Sequence, residues 1–225
     1  MDPLTNPVWF SLRTGHAHFA QGDATITAYP ADVAPFAAVL NDGDRPSDRG
    51  LALALAGGEP TYFIGRLPSL PDRFRAEPCP PILQMQCERL SGTWTSPACD
   101  IRPLDDADIA AMLDLTGRVF PGYFRRTTMA MGQYIGVFDA DRLVAMGGER
   151  LFVDRYREVS GICTDPSHSG RGYAGAIVRT LVTSMFNRGL SPILHLSPAN
   201  TRAHQLYQSL GFVDRAELDV IKVTA

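Results

Sequence analysis

The stretch "TDPSHSGRGYAGAIVRTL", residues 164–181, places three glycines within six positions and then continues as a helical pattern of apolar residues. Inside regular structure, each glycine costs about 0.5–1 kcal/mol relative to alanine. So much backbone freedom directly before a helix indicates either a turn that requires it or a ligand that lies against bare main chain. We expect a ligand.

The glycine-rich segment Gly170–Gly175 follows a predicted strand and opens a predicted helix. Unpaired main-chain N–H groups at a helix N-terminus meet the positive end of the helix dipole, which favours an anion. The pattern therefore predicts a phosphate cradle, to which Ser169 and the Arg171 side chain add donors. A helix start whose glycines serve close packing is the structural alternative.

Two other phosphate-binding motifs compete for this segment. A P-loop requires a Gly-Lys-Ser/Thr ending, which is absent. "GRGYAG" fits the dinucleotide fingerprint GxGxxG letter for letter, but it comes late, after a predicted hairpin. No acidic residue follows a second strand about 20 residues on, as that fingerprint requires. Context therefore disfavours a dinucleotide site.

Regular elements surround the segment on both sides. In chain order they are a helix N-capped by Asp105, a hairpin turning at Asp139–Asp141, a strand over 157–164, a helix from about Gly172 to Arg188, a strand over 192–197, a helix capped by Asn200 and stopped by Gly211, and a strand over 216–223. The apolar stripe of the first helix after the glycines comprises Ala174, Ile177, Val178, Leu181, Val182 and Met185. This order predicts an α/β fold with a right-handed crossover between strands ending near Thr164 and starting near Ile193.

The N-terminal half is less regular. Leu67–Pro81 carries five prolines and is predicted to form no regular element, and a second break lies at Ser91–Asp100. The strand-like Ile82–Leu90 between them either completes the N-terminal half or joins the next sheet. We place the boundary so that residues 1–97 form an N-terminal α/β domain and residues 98–225 a second domain. Residues 29–40 and 105–115 share an Asp and a similar apolar spacing. This similarity is the basis for the hypothesis of a degenerate internal duplication.

Composition narrows the class of protein. The 225 residues are 45% hydrophobic with a formal net charge of -3. Because the sequence contains no long run of basic residues, nucleic acid is disfavoured as a partner. The N-terminus lacks a signal-peptide pattern and no stretch approaches the ~20 apolar residues of a membrane span. The four cysteines show no zinc-like spacing and no metal set emerges. These features predict a cytoplasmic protein without metal, with a homodimer left open.

Residues 162–178 ("ICTDPSHSGRGYAGAIV") and 196–212 ("LSPANTRAHQLYQSLGF") together resemble the acetyl-CoA site of the Gcn5-related N-acetyltransferase (GNAT) superfamily, in its FR47-like branch. The resemblance covers about residues 100–225 and implies a mixed, mostly antiparallel sheet flanked by helices. The smaller N-terminal domain is then a candidate degenerate GNAT-like half. One position departs from the family pattern Arg/Gln-x-x-Gly-x-Gly/Ala, because Ser167 replaces Arg or Gln and weakens one expected contact.

The resemblance implies acetyl-CoA as cosubstrate. Its pyrophosphate would lie on the amides of Gly170–Gly175, and its pantetheine arm would pair with the main chain of Ile162–Thr164 like an added strand. His168 either contacts phosphate or remains a surface-loop histidine. The implied cofactor-binding residues are Ile162, Cys163, Thr164, Ser169, Gly170, Arg171, Gly172, Tyr173, Ala174, Gly175, Asn200, Ala203 and Tyr207.

For the chemistry, the resemblance implies Tyr207 as proton donor to the leaving thiolate. An unperturbed phenol, with a pKa of about 10, suits a thiol better than a carboxylic acid does. Packing within its apolar stripe is the alternative role. Glu158 is the candidate base, with Glu149 as rival and a solvated strand-start carboxylate as the alternative reading. Cys163 reads as a small buried residue, which favours direct transfer over an acyl-enzyme.

We therefore expect an N-acetyltransferase that moves an acetyl group from acetyl-CoA to a primary amine of a small molecule or peptide. The alternative is a non-catalytic CoA- or acyl-CoA-binding regulatory module, and the element order disfavours a nucleotide-dependent oxidoreductase. The acceptor is expected near residues 120–132, where Tyr123, Phe124, Arg125 and Arg126 suit a carboxylate or a flat apolar group. An ordinary hydrophilic loop is the competing reading there.

Overall fold

A computed structural model of the chain describes residues 2–56, 58–91, 97 and 99–225. Residue 98, where the second predicted domain begins, and most of the predicted break at residues 91–100 lie outside these residues. The helices of the described part are α1 (Pro7–Ser11), α2 (Asp48–Ala54), α3 (Ile109–Val119), α4 (Tyr173–Asn187) and α5 (Thr201–Ser209). Its strands are β1 (Gln21–Gly22), β2 (Thr27–Ala28), β3 (Phe36–Ala38), β4 (Thr61–Ile64), β5 (Arg75–Cys87), β6 (Ile101–Pro103), β7 (Tyr134–Asp139), β8 (Arg142–Val153), β9 (Tyr156–Thr164), β10 (Ser191–Leu196) and β11 (Phe212–Thr224).

The described strands form a single sheet in the order β1-β2-β3-β4-β11-β5-β10-β9-β8-β7-β6. Neighbouring strands are antiparallel except for two parallel pairs, β3 with β4 and β9 with β10. Each parallel pair is joined by a crossover helix, α2 or α4, as parallel strands require. The predicted mixed, mostly antiparallel sheet flanked by helices is confirmed, and so are the helices and strands predicted after Asp105.

The two 13-residue strands β5 and β11 hold the halves of the sheet together. The end of β5, Leu83–Gln86, pairs with β10, while the end of β11, Val220–Val223, pairs with β4. The two strands pair with each other along their whole length, from Phe212 opposite Cys87 to Thr224 opposite Arg75. The segment Ile82–Leu90 therefore does both things that the sequence left open, because its strand lies between β11 and β10. The strand β5, from the N-terminal half of the chain, therefore lies beside β10, and β11, from the C-terminal half, lies beside β4.

The prediction that Leu67–Pro81 is irregular is wrong for its second part, since β5 begins at Arg75 and includes three prolines. Proline interrupts a strand by removing a backbone donor, which matters only where a neighbour needs that donor. Residues 75–79 of β5 pair with β11, and the β10 pairing begins only at Leu83. The proline-rich part of β5 is thus an edge segment on its second side, where missing N–H groups do no harm.

Helix α4 packs its predicted stripe on the sheet. Ile177, Val178, Leu181 and Met185 are fully or almost fully buried, in one cluster with Leu194 of β10. Burying each such side chain contributes about 1.5–3 kcal/mol. Ala174, at the start of the predicted stripe, is only half-buried because it lies at the mouth of a cavity described below. Packing of this helix therefore fixes where its N-terminus lies.

The two segments with similar apolar spacing have different structures. Asp105 caps a 3-10 turn that continues into α3, and its side chain accepts a hydrogen bond from the Ala107 amide. Residues 29–40 instead contain a turn and the strand β3. The spacing that suggested a duplication is therefore not matched by shared local structure. No helix in the described ranges is long and apolar enough to cross a bilayer.

Candidate functional site

Strands β9 and β10 are paired at their beginnings and separate along their length. Their parallel ladder covers only Tyr156–Glu158 on β9. Beyond it, β9 carries a bulge, because one residue of β8 lies between the pairs Met146–Cys163 and Gly148–Ser160 while two residues of β9 do. Gly161 sits in this bulge with φ +66°, a left-handed value that favours glycine. The sheet therefore opens beside the last residues of β9.

The glycine-rich segment lies at the end of this opening. Gly170 and Gly172 both have left-handed φ values, +82° and +81°. Gly172 is the N-cap of α4 and supplies no side-chain hydrogen bond to the first turn. The first amides of α4 consequently have no partner within the helix, and they point along the positive end of its dipole. The turn and the bare amides that the sequence predicts are both present.

The loop that leads into the glycines is held by Asp165, whose side chain is nearly buried. Arg118 of α3 and Arg142 of β8 both donate to its Oδ2, the second at 2.5 Å. Ser167 donates to Oδ1 from its amide at 2.9 Å and from its hydroxyl at 2.6 Å. The hydrogen bonds from Ser167 and then from Arg118 hold the pKa of the Asp165 carboxyl well below its usual range. Ser167, which departs from the family pattern, thus serves the loop itself.

His168 is also built into this loop rather than exposed at its surface. Its Nε2 lies 2.8 Å from Asp139 Oδ2 in the β7–β8 hairpin, and its Nδ1 lies 2.9 Å from the Ser167 hydroxyl. The alternative of a surface-loop histidine is therefore wrong, because the side chain is buried against the hairpin. Together with Asp165, His168 ties the loop before the glycines to α3 and to both strands of the hairpin.

A cavity of about 430 Å³ lies between the open strand and the start of α4. All thirteen residues predicted to bind the cofactor line it: Ile162, Cys163, Thr164, Ser169, Gly170, Arg171, Gly172, Tyr173, Ala174, Gly175, Asn200, Ala203 and Tyr207. Four further lining residues are Val119, His168, Arg202 and Leu206. Arg202 could have been found from sequence, because it follows the α5 cap by two positions on the turn that carries Ala203. Val119 could not, since only the tertiary structure brings α3 here.

Tyr207 lines the cavity and also packs in the core. Its ring lies 5.9 Å from that of Phe212, centroid to centroid, and the residue is only 9% exposed. Burial raises the pKa of its phenol to about 12, so the expectation of an unperturbed phenol is wrong. The hydroxyl has no hydrogen-bond partner within the described ranges. A phenol in this setting stays protonated at neutral pH and retains a proton to donate.

Glu158 is not brought to the cavity. Its fully buried carboxylate accepts bonds from Arg150, at 2.8 Å and 2.6 Å, and lies 2.7 Å from His195 Nδ1. Burial alone would raise the pKa of this carboxyl, but Arg150 and His195 outweigh it and leave the pKa below its usual range. The alternative reading of Glu158 as a solvated carboxylate is therefore wrong.

The rival carboxylate, Glu149, is likewise buried, ion-paired with Arg157 at 2.7 Å and with Arg188. It does not line the cavity either. Neither candidate base therefore lies where the structure brings the predicted cofactor residues together.

Cys163 lines the cavity as a buried free thiol. Burial raises its pKa to about 12, which leaves almost no thiolate at neutral pH. The thiol is therefore poorly suited to act as a nucleophile. Elsewhere in the part of the chain that the structure describes, no three His, Cys, Asp or Glu side chains are grouped as metal ligands would be.

The segment expected to hold the acceptor lies between the halves. Phe124 is buried against Tyr134, with ring centroids 5.4 Å apart, and Tyr123 stacks on Tyr62 of β4 at 5.5 Å. Arg125 pairs with Glu59 of the N-terminal half at 2.7 Å. These contacts are typical of a docked segment rather than of a free hydrophilic loop, although Arg126 is exposed.

Comparisons with known proteins agree on one family. The family model described as FR47-like protein matches residues 134–220, which include β9, the glycine-rich segment and α5. A structure from Novosphingobium aromaticivorans DSM 12444, assigned to the acetyltransferases of the GNAT family, is 30% identical, covers 100% of this chain and 99% of its own, and superposes with a TM-score of 0.87. No curated protein matches the sequence significantly.

Two more distant structures share the fold. A GCN5-related N-acetyltransferase from Kribbella flavida is 15% identical over 90% of this chain and 88% of its own, with a TM-score of 0.55. A GNAT-family acetyltransferase from Colwellia psychrerythraea is 14% identical over 89% of this chain and 80% of its own, also with a TM-score of 0.55. Their similarity extends over both halves of the sheet.

Proposed function

The chain belongs to the GNAT family of acetyltransferases, and on this premise we propose that it moves an acetyl group from acetyl-CoA to a primary amine of a small molecule or peptide by direct transfer. One observation carries the proposal. An unpaired strand edge, the bare amides of a helix N-terminus and a protonated tyrosine line the same cavity.

In the proposed complex the pyrophosphate lies on the main chain of Gly170–Gly175. Gly170 fits this role because a Cβ built on it meets nothing within 4 Å, so the turn is open to a ligand. The amides of the first turn supply donors and the helix dipole supplies partial positive charge. Arg171 and Arg202, both exposed at the cavity, add full positive charges.

The pantetheine arm pairs in this proposal with the main chain of Ile162–Thr164, on the side where β9 has no β10 partner. Asn200 faces the arm from α5. Its Oδ1 already accepts the Ala203 amide at 3.1 Å as the helix cap, which leaves its Nδ2 free to donate. The strand edge thus positions the arm and the helix cap adds a polar contact.

Acetyl-CoA supplies the thioester. The neutral acceptor nitrogen bonds to the carbonyl carbon, the carbon–sulfur bond breaks, and the Tyr207 hydroxyl gives its proton to the departing thiolate. Because Glu158 and Glu149 are held in buried ion pairs, the proton lost by the amine is expected to leave to water. The raised pKa of Cys163 agrees with transfer that forms no acyl-enzyme.

The same buried ion pairs favour a second candidate, a module that binds CoA or acyl-CoA without turnover. Both functions use the same cavity. They differ in whether an amine that binds near Tyr207 becomes acetylated, and this difference can be measured.

We expect CoA to bind the protein with measurable heat in calorimetry, and acetyl-CoA to release free thiol when a suitable amine from a broad panel is present. Tyr207→Phe is expected to lower kcat about hundredfold, the scale of general acid catalysis, with CoA affinity unchanged. Tyr156→Phe, at the far end of β9, is the matched control and should retain full activity.

Each outcome decides between the candidates. CoA binding without thiol release across the panel would establish the regulatory module. An undiminished kcat in Tyr207→Phe would remove the proton-donor role. Absence of heat with millimolar CoA would refute both functions.

A further inference from the structure

A second cavity, of about 240 Å³, lies where the C-terminal segment after α3 meets the N-terminal half. It shares no lining residue with the glycine-rich cavity. Its apolar wall is made of small residues, namely Ala31, Ala34, Pro35, Ala54 and Pro60. With a liquid-water share of about 30 Å³ per molecule, the space corresponds to roughly eight waters. The cavity therefore suits a small molecule rather than a large one.

Arg125 reaches this cavity from a fixed main chain. The Thr128 hydroxyl accepts the Arg125 amide at 2.8 Å and donates to the Val33 carbonyl at 2.7 Å. Thr127 donates to the Asp32 carbonyl from its amide and its hydroxyl. These hydrogen bonds anchor the segment around Arg125 on the N-terminal half. The main chain of Arg125 is held in place before any ligand arrives.

The charged groups of the cavity are incompletely paired. Arg125 is 17% exposed at its side chain and contacts Glu59 through Nη1, at 2.7 Å. Its Nε is buried and has no hydrogen-bond acceptor among the described residues. The Asp32 carboxylate has no ion-pair or hydrogen-bond partner in that part of the chain either. Because Nε exposes almost no surface, the donor that a ligand in the cavity can reach is Nη2, which also has no hydrogen-bond acceptor among the described residues.

We propose that this cavity binds a small zwitterion of α-amino acid size, with its carboxylate on Arg125 and its ammonium group on Asp32 and Glu59. The Nη2 group donates a charge-assisted hydrogen bond to the carboxylate of the ligand. An anion without an ammonium group would meet two carboxylates, and a cation without a carboxylate would leave Nη2 unpaired. The wall of alanines and prolines accommodates a short apolar side chain. Binding here does not depend on the acetyl transfer proposed above.

The test measures binding in the full chain without acetyl-CoA. L-alanine is the probe, titrated by calorimetry and followed by thermal shift, with acetate and ethylamine as probes that each carry one of its two charges. We expect L-alanine to bind at millimolar concentration or below, and each single-charge probe to bind at least about tenfold more weakly.

Arg125→Gln is expected to lower the affinity for L-alanine about tenfold, the loss of one charge-assisted hydrogen bond. Arg126→Gln, the exposed neighbour, is the matched control and should bind like the wild type. Because Arg125 also joins the halves, Asp32→Asn provides a variant whose altered group has no partner to lose, and it should weaken L-alanine binding but strengthen acetate binding.

Three results would overturn the proposal: no saturable binding of L-alanine, equal binding of acetate, or unchanged affinity in a folded Arg125→Gln or Asp32→Asn protein. Since none of these measurements includes CoA, they cannot be confused with a failure of the acetyltransferase function.

Discussion

Two crossovers of the same topology, β3–α2–β4 and β9–α4–β10, differ in how the N-terminus of their helix is capped. Both join parallel strands through one helix, and both strand pairs continue into an antiparallel neighbour. In the first, Ser47 caps α2 and its hydroxyl accepts the Gly50 amide at 2.9 Å. In the second, Gly172 caps α4 without any side-chain contact.

The composition of the two loops completes the contrast. The loop before α2 carries Asp42 and Asp44, and Asp48 opens the helix. The loop before α4 has one acid, Asp165, which is turned inward onto Arg118 and Arg142. Negative charge and an occupied cap both oppose an anion at α2. We therefore expect a helix N-terminus in this fold to bind an anion only where the sequence leaves its amides unused.

The largest expected effect comes from making the second loop like the first. Gly170→Asp places a carboxylate where the pyrophosphate is proposed to lie, and we expect the KM for acetyl-CoA to rise about hundredfold because like charges repel. Steady-state kinetics with varied acetyl-CoA measures this. An unchanged KM would mean that the diphosphate lies elsewhere.

Two controls separate charge from backbone strain in this experiment. Gly170→Asn keeps the side-chain shape without the charge, and it should raise the KM much less. Gly43→Asp introduces the same charge in the N-terminal loop, at a glycine with a similar φ of +77° and equally open surroundings. This variant should leave the KM for acetyl-CoA unchanged.

A smaller effect is expected from Asp165→Asn, which loosens the loop before the glycines without touching the cavity. Removing the charge that Arg118 and Arg142 share should raise the KM for acetyl-CoA about tenfold, with kcat unchanged. Asp114→Asn is the matched control, because Asp114 pairs with the same Arg118 at 2.8 Å but is exposed. If both variants raised the KM equally, Arg118 rather than Asp165 would hold the loop.

The same variant has a pH signature. The pKa of Asp165 is depressed in the folded protein, so its carboxylate stabilises the fold above the unfolded pKa of about 3.9 and this contribution is lost as pH falls below that value. Thermal melts between neutral pH and pH of about 3 should therefore show a shallower loss of stability in Asp165→Asn. An identical slope in both proteins would contradict the assigned hydrogen bonds.

The smallest effect is expected in the N-terminal loop. Ser47→Ala removes the cap of α2 and should lower the free energy of unfolding by about 1 kcal/mol. The KM for acetyl-CoA should not change, because this helix end binds no part of the cosubstrate in our proposal. Ser69→Ala, an exposed serine whose hydroxyl makes no hydrogen bond among the described residues, is the control for stability. A changed KM in Ser47→Ala would break the contrast between the two loops.

The glycine-rich site was predictable because its features are local. A left-handed turn at Gly170 and Gly172, a bare helix start and the stripe of α4 all depend on residues a few positions apart. The same holds for the Asn200 cap of α5, whose partner Ala203 is three residues away. Such short-range preferences act before any distant contact forms, so they can be read from one sequence.

The misjudged features depend on residues far apart in the chain. Glu158 looked like a solvated strand start, but Arg150 comes from β8 on one side of its strand and His195 from β10 on the other. The prolines of β5 are tolerated because their edge has no partner, which only the strand order decides. Burial by such neighbours also set the pKa of Tyr207.

The sequence alone determined the crossover, the turn before α4 and the set of residues around the predicted cosubstrate. These features were accessible because glycine conformation, capping and helical periodicity act within a turn or two. Tertiary structure alone decided that β5 is inserted between β10 and β11, that Glu158 is neutralised by Arg150, and that Arg125 meets Glu59 across the two halves. The physical reason is that ion pairing and desolvation depend on which distant segments fill the space around a charge, and local preferences carry no information about that.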